Sequence, residues 1–437
     1  MAISHNQKVL LGNGGLWAMY DGLTTVFLIA YALYLGASNT VIGLIGAIPY
    51  ISMIVSQMPG VLLIHRFSRR VLYITSTSIG RLTWLLIIGA PLLVKENALL
   101  WVMVFYFIAR FCESLSDPAW TSLAADVVPE KDRGTFFSKR LVFVGVLGMI
   151  AFLTGGFILD LFPKTSHAGF AIIFTLGIIL GLLATWIMSN LKEPSYQCHD
   201  VHTLKDIAKG WKGDFGKLLL FSLFFNFAYM ISSPFFTAYM LNNLSMSYSL
   251  YVIANAIQFV AKVFSQSIFG PMTDHDGDKP IAMLCVFGTG LIPLMFLFIG
   301  PGNLWLIIPA QIISGIVWAG VELTTFNLLL DMTDRKDRPF QVAEYQTLTA
   351  IPLNISPIIG GIIADKGALI GLAGIPLVFA ISMVLRFSSV FFLACVPERR
   401  GPREVPVWAV VREFMGLFSV RGMQHQVMAV KKYVSPR

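Results

Sequence analysis

The sequence predicts an all-α membrane protein with twelve transmembrane helices arranged as two six-helix halves. Three observations carry that prediction. Of the 437 residues, 56% are hydrophobic and only 13% are charged, where a soluble domain carries about 25% charged residues; the mean hydropathy is +0.72. Apolar runs of about 20 residues, the length that crosses hydrocarbon as a helix, recur from end to end. Finally, the chain repeats itself. Asp117, Asp126, Lys131-Asp132-Arg133, Gly155-Gly156 and Asp160 are matched by Glu322, Asp331, Lys336-Asp337-Arg338, Gly360-Gly361 and Asp365, always 205 positions later (322 − 117, 365 − 160). A constant offset across a charged loop and the apolar stretch beyond it marks a duplication, and a duplicated hydrophobic chain is the signature of a transporter made of two similar halves.

The spans fall near 11–35, 39–64, 71–94, 98–126, 141–162 and 169–191, then 217–242, 247–270, 280–299, 303–331, 341–364 and 369–395. Helices are required, because open sheet edges cannot sit in hydrocarbon. The first half is therefore 1–191, a central loop occupies 192–216, the second half is 217–395, and a tail follows over 396–437.

Loop charge orients the halves. One side carries Lys8, Arg66, Arg69, Arg70, Lys131, Arg133, Lys139, Arg140, the lysines of the central loop, Lys279, Arg335, Lys336, Arg338 and the basic tail. The other carries only Lys95, Lys164 and Lys366, on very short connections. The positive-inside rule puts both termini and the central loop in the cytoplasm, with a bacterial inner membrane as the expected setting. This distribution accounts for the net charge of +8 without a nucleic-acid partner.

No cleavage site follows a short apolar core at the N-terminus, so the first hydrophobic run is expected to be retained. The four cysteines are scattered and give no disulfide framework. Within the central loop Cys198-His199-Asp200-Val201-His202 has metal-binding residue types, but no second cluster completes a tetrahedral site. A solvated linker is the preferred reading, and no cofactor is expected. In the tail, Trp408, Val411, Met415 and Phe418 share one helical face; an amphipathic helix lying on membrane lipid is expected there.

The loops after spans 2 and 8 resemble those of the major facilitator superfamily, whose pattern there is G-x-L-A-D-R-x-G-R-R. In Gly270-Pro271-Met272-Thr273-Asp274-His275-Asp276-Gly277-Asp278-Lys279 the aspartate and glycine are Asp274 and Gly277, while His275 and Asp278 replace arginines. The first-half loop keeps Arg66, Arg69 and Arg70 but has His65 at the aspartate position and Ser68 at the glycine position. Span 4 is similar to L-x-x-x-R-x-x-Q-G through Arg110, Glu113 and Ser114, and Pro129-Glu130-Lys131-Asp132-Arg133-Gly134 is similar to P-E-x-x-R-G. The resemblance implies two six-helix bundles around a cavity that opens alternately to each side. It also implies a cytoplasmic gate of salt bridges, with Asp274 as its acid, Arg66, Arg69 and Arg70 as cations, Glu130 and Arg133 as partners, and Arg338 as the repeat of Arg133. The competing reading is that these arginines simply obey the positive-inside rule.

An ionisable residue at the centre of a span costs roughly 2.5–3.5 kcal/mol and is by default a functional candidate. Asp21, Arg81 and Arg110 fall near mid-depth, and Glu113, Ser114 and Asp117 follow Arg110 at i+3, i+4 and i+7 on one helical face. Two acids and two bases suit mutual pairing. Asp21 or Glu113 is expected to carry a coupling proton under the control of Arg110; a permanently ionised packing pair is the rival. In the second half Asn226, Tyr229, Ser232, Ser233 and Tyr239, with Gln258 and Gln311, are substrate-cavity candidates. Glu322 repeats Asp117, Lys262 and Arg386 are expected to snorkel, and Pro234 should break its helix.

The first functional expectation is a secondary active transporter that moves a small solute with protons. Drug efflux comes second, because Ala151-Phe152 replace the Gly-Pro of the drug-antiporter pattern in span 5, although Ser356-Pro357 with Gly360-Gly361 is nearer in span 11. Metal or metal-chelate transport and a non-transporting receptor or scaffold are further alternatives. No nucleophile–base pair, phosphate loop or H-E-x-x-H motif suggests an enzyme.

The charge asymmetry is directly testable. In a protein freed of its native cysteines, single cysteines at Lys164 and Lys366 will react with an impermeant maleimide from outside intact cells. Those at Arg66 and Lys205 will react only after permeabilisation. The opposite pattern would invert the orientation.

Overall fold

The computed structural model describes residues 4–129, 132–193, 213–333, 338–369 and 372–398. Twelve helices among them are long and apolar enough to cross a membrane. They are His5–Tyr34 (α1), Asn39–Ile64 (α2), Arg69–Leu93 (α3), Ala98–Val127 (α4), Thr135–Asp160 (α5) and His167–Ser189 (α6), then Gly213–Asn243 (α7), Tyr248–His275 (α8), Asp278–Phe298 (α9), Leu304–Met332 (α10), Gln341–Lys366 (α11) and Ile375–Ala394 (α12). The tail and the Cys198 to His202 stretch, for which the sequence suggested an amphipathic helix and a linker, lie outside the described residues.

Serine caps set several helix starts. Ser4 forms a capping box with Gln7, which lengthens α1 beyond the predicted start. Ser38, Ser68, Ser166 and Ser247 each accept from a backbone N–H in the first turn of α2, α3, α6 and α8. The last span starts later than predicted. Ala368–Leu369 and Leu372–Ala373 pair as a short antiparallel hairpin, and Gly374, at φ +68°, turns the chain into α12.

Three spans are interrupted. A 3₁₀ turn over Thr25–Phe27 splits α1, α4 breaks at Ser116 just before Pro118, and α7 breaks at Ile231-Ser232 before Pro234, as predicted. In the last two a proline follows in the first turn of the new segment, where its missing N–H costs no helix bond.

Within the first half α1 packs on α5 and α6, and α4 on α2 and α3; within the second, α10 packs on α8 and α9, and α12 on α7 and α9. The halves meet where α2 runs along α11, α5 along α8, and the outer pieces of α1 and α7 touch. Large apolar side chains such as Leu85, Ile150, Trp186 and Phe391 are exposed, while Arg81, Arg386 and Gln311 are buried. That distribution suits a lipid exterior.

Arg386 shows what the interior demands. It was expected to snorkel, but it is 2% exposed. Its Nε donates to the Ser382 hydroxyl, Nη1 to the Thr289 carbonyl at 2.9 Å, and Nη2 to the Ser232 hydroxyl at 3.0 Å and the Tyr229 carbonyl at 3.3 Å. The break in α7 leaves carbonyls and hydroxyls needing donors there, and the guanidinium supplies them, tying α7, α9 and α12 together. Arg81 does the same in the first half. It is 1% exposed, donates to the Gly181 carbonyl and the Thr185 hydroxyl of α6, and lies 5.5 Å from the Tyr20 ring centre. The expected pairing of Arg81 with an acid is thus replaced by α6, whose Gly181 leaves room for the side chain.

Arg386→Met will strip these bonds and lower stability by about 2–4 kcal/mol. The melting temperature of purified protein in detergent measures this; an unchanged midpoint would refute the role assigned to the guanidinium.

Candidate functional site

A cavity of about 640 Å³ lies between the halves. Its first-half wall includes Trp17 and Asp21 of α1 with Gly148 and Phe152 of α5. The facing wall includes Tyr229 and Ser233 of α7, Gln258 and Lys262 of α8, Gln311, Trp318 and Glu322 of α10, and Arg386. Of the sequence candidates, Asp21, Tyr229, Ser233, Gln258, Gln311 and Glu322 are thus brought together. Asn226 is not: it donates to the Thr349 carbonyl of α11, because its place on α7 faces that helix. Ser232 is taken up by Arg386, and the Tyr239 hydroxyl donates to the Ile299 carbonyl.

Arg110 Nη1 lies 2.8 Å from Glu113 Oε2, one turn along α4, and 4.0 Å from Asp21 Oδ1 across on α1. One cation therefore stands between two carboxylates, of which Asp21 lines the central cavity. The expected continuous face stops at Ser116, where the helix breaks; Asp117 opens the next segment and is exposed. It still shares a smaller pocket with Arg110, Glu113 and Ser114. In the second half Lys262 Nζ meets Glu322 Oε1 at 2.6 Å, so the lysine expected to snorkel is paired across α8 and α10 instead. Gln258 donates to Ser314 at 2.7 Å, and the Tyr229 ring meets Trp318 edge-on at 4.9 Å.

The residues assigned to a cytoplasmic gate are knitted within their own half. Arg69 is 1% exposed and binds Asp126 at 2.6 Å, Ser122 at 2.8 Å and Glu193 at 3.3 Å. Arg70 donates to the Ser189 and Leu191 carbonyls, and Arg133 to those of Ala125 and Val128. Arg66 and Asp274 are exposed at the basic ends of α2 and α8. Asp278, standing where the family has an arginine, is buried and accepts from Asn327 at 2.8 Å. Glu130 and the side chain of Arg338 lie outside the described residues.

The halves are instead bonded at the short-loop end, by the repeated aspartates. Asp365, at the end of α11, accepts from the backbone N–H groups of Asn39 and Thr40 at 3.0 and 2.8 Å. Asp160, at the end of α5, accepts from those of Tyr248 and Ser249 at 2.9 and 2.7 Å. Ser38 and Ser247 take the next N–H in each helix. Each half thus lends a carboxylate to a helix N-terminus of the other, where orphan donors and the helix dipole favour an anion. The neighbouring repeated glycine permits the approach: a Cβ on Gly361 would stand 2.6 Å from the Asn39 carbonyl oxygen. The sequence displayed these residues in the repeat but gave no hint of their partners.

Each cap contributes about 1–2 kcal/mol. Asp160→Asn with Asp365→Asn will therefore open this end, lengthening the distance between spin labels at Thr165 and Asn242. An unchanged distance distribution would show that the carboxylates do not hold the closure.

Comparison with known proteins places this geometry. The family model described as Major Facilitator Superfamily matches residues 9–212 and 218–429. The nucleoside transporter NupG is similar in structure, with a TM-score of 0.70 at 13% identity over 90% of this chain and 99% of that one. The D-xylose-proton symporter gives 0.70 at 14% identity over 90% and 98%. A bacterial homolog of the human lysosomal transporter Spinster, in an inward-facing and occupied conformation, gives 0.64 at 14% over 89% and 94%. At such identities the structural likenesses establish the fold, while the sequence match extends through both halves. The chain belongs to the major facilitator superfamily, as an integral multi-pass membrane transporter.

Proposed function

We propose that this protein is a proton-coupled secondary transporter of a small polar solute, in a bacterial inner membrane with both termini in the cytoplasm. One observation carries the reading: a single guanidinium, Arg110, shared unequally between Glu113 beside it in the smaller first-half pocket and Asp21 on the wall of the central cavity. A cation that neutralises one carboxylate leaves the other dependent on a proton inside a low-dielectric chamber. Protonating Asp21 commits Arg110 to Glu113, and releasing that proton draws the guanidinium back toward α1. Such an exchange of partners links the ionisation of the cavity to the packing of α1 against α4.

The caps that close the short-loop end support an inward-facing state. The gate of Arg66, Arg69, Arg70, Arg133 and Asp274 then belongs to the opposite state, in which the basic ends approach. The cavity's amides, Asn255, Gln258 and Gln311, beside the aromatic faces of Trp17, Tyr229 and Trp318, suit a polar ring that stacks and hydrogen-bonds. A xylose-proton symporter and a nucleoside transporter among the structurally similar proteins accord with that class. Efflux of amphipathic compounds is the second reading, favoured by Phe152, Phe236, Phe259 and Phe296 on the same walls.

A thermal-shift screen of sugars, nucleosides and amphipathic cations at two pH values identifies the solute. In proteoliposomes, Asp21→Asn and Glu113→Gln will then retain counterflow but lose accumulation driven by a proton gradient, by at least about tenfold for the coupling acid. If both variants still accumulate the solute uphill, neither acid couples transport to protons.

A further inference from the structure

Trp17 separates the central cavity from a second one of about 250 Å³, set wholly within the first half. Three arginines line it: Arg81 from α3, Arg110 from α4 and Arg140 from α5. Two carboxylates complete the lining, Glu113 and Asp117, and a third, Asp21 on the wall of the central cavity, lies 4.0 Å from Arg110. Glu113 is held by Arg110, whereas Arg81 and Arg140 form no ion pair among the described residues. Both ion pairs of this cluster thus fall on Arg110, which leaves the guanidinium donors of Arg81 and Arg140 in surplus.

The hydrogen bonds show the same surplus. The Nε of each of the three arginines is buried and has no hydrogen-bond partner among the described residues. Leaving a buried charged donor unpaired is costly, about 1–3 kcal/mol or more for each, and three such donors at one pocket are unusual. The guanidinium groups are also held in place rather than free to seek partners elsewhere. Arg81 is anchored by α6 through Gly181 and Thr185. Arg140 lies over the Trp120 ring at 4.6 Å. Gly14 makes room for it, since a Cβ there would stand 2.7 Å from Arg140 Nη2.

We propose that this pocket is a binding site for an oxyanion, a phosphate or carboxylate group. Guanidinium donors fit such oxygens in number and in planar geometry, and the volume admits a group of that size but not a large solute. The oxyanion has two sources. It is either a free inorganic anion, or the charged end of a solute whose body lies beyond Trp17 in the central cavity. The site does not depend on the coupling role of Asp21 and Glu113, and its occupancy is measured without any gradient.

The test uses the purified full-length chain in detergent, titrated with inorganic phosphate and with phenyl phosphate against sodium chloride of matched ionic strength. Saturable binding of phosphate is expected by calorimetry, with a rise in melting temperature. Arg140→Gln and Arg81→Gln will each weaken it by about tenfold, Arg140→Lys will restore part of the loss, and Lys217→Gln, on the exposed start of α7, will change nothing. Arg140 is only partly buried, so its variants keep the test decisive if Arg81→Gln fails to fold. Exchange of labelled phosphate across proteoliposomes identifies the free anion as the ligand. Tighter binding of phenyl phosphate without phosphate exchange identifies the charged end of a larger solute. No saturation beyond the chloride control, or arginine variants that bind phosphate like the wild type, overturns the proposal.

Discussion

A polar group inside a bilayer has no water to fall back on, and that constraint organises the whole molecule. Backbone groups within the spans are satisfied along their own helix, and a buried hydroxyl or guanidinium there is costly unless it finds a partner on that helix or a neighbouring one. Arg386 meets it by bridging the broken middle of α7 to α9 and α12. Arg81 meets it through α6. These two buried cations tie helices together within their respective halves. What remains adjustable is the set of charges on the walls between and beneath the halves.

That division separates structural from working charges more sharply than depth alone. Arg81, Arg110 and Arg386 all lie deep in their spans, yet their surroundings differ. Arg386 is enclosed by carbonyls and hydroxyls. Arg110 faces two carboxylates at different distances, 2.8 and 4.0 Å, an arrangement that a shift of one helix can reverse. Across the second-half wall Lys262 pairs with Glu322, and their side chains are 32% and 49% exposed. The shared cation thus belongs to the first half, and the second lines the cavity with aromatic and amide side chains.

Much of the fold was legible because hydropathy and the 205-residue offset are properties of the chain itself. The spans, the break before Pro234, the Arg110–Glu113 contact at i+3 and the cavity positions of Asp21, Tyr229, Gln258 and Gln311 all follow from period and depth. Contacts between distant helices did not. Trp17, Asn255 and Trp318 look like any apolar or polar residue in a span until α1, α8 and α10 are brought together. Arg140 counted only as one more basic residue near the cytoplasm, because its reach past Gly14 depends on how α5 crosses α1. Asn226 erred the other way, since rotation of α7 about its axis decides whether it sees the cavity or α11. For the caps the residues were visible and the partners were not: a carboxylate at a helix end gives no sign of which N-terminus it will meet.

The two caps are reciprocal. Asp160 serves the helix that opens at Tyr248, and Asp365 serves the helix that opens at Asn39, so the contact is isologous, the same bond made twice about a two-fold axis. Two separate copies of a single ancestral half could have clasped each other in this manner. Fusion of the genes then needed only to preserve a dimer that already closed on itself.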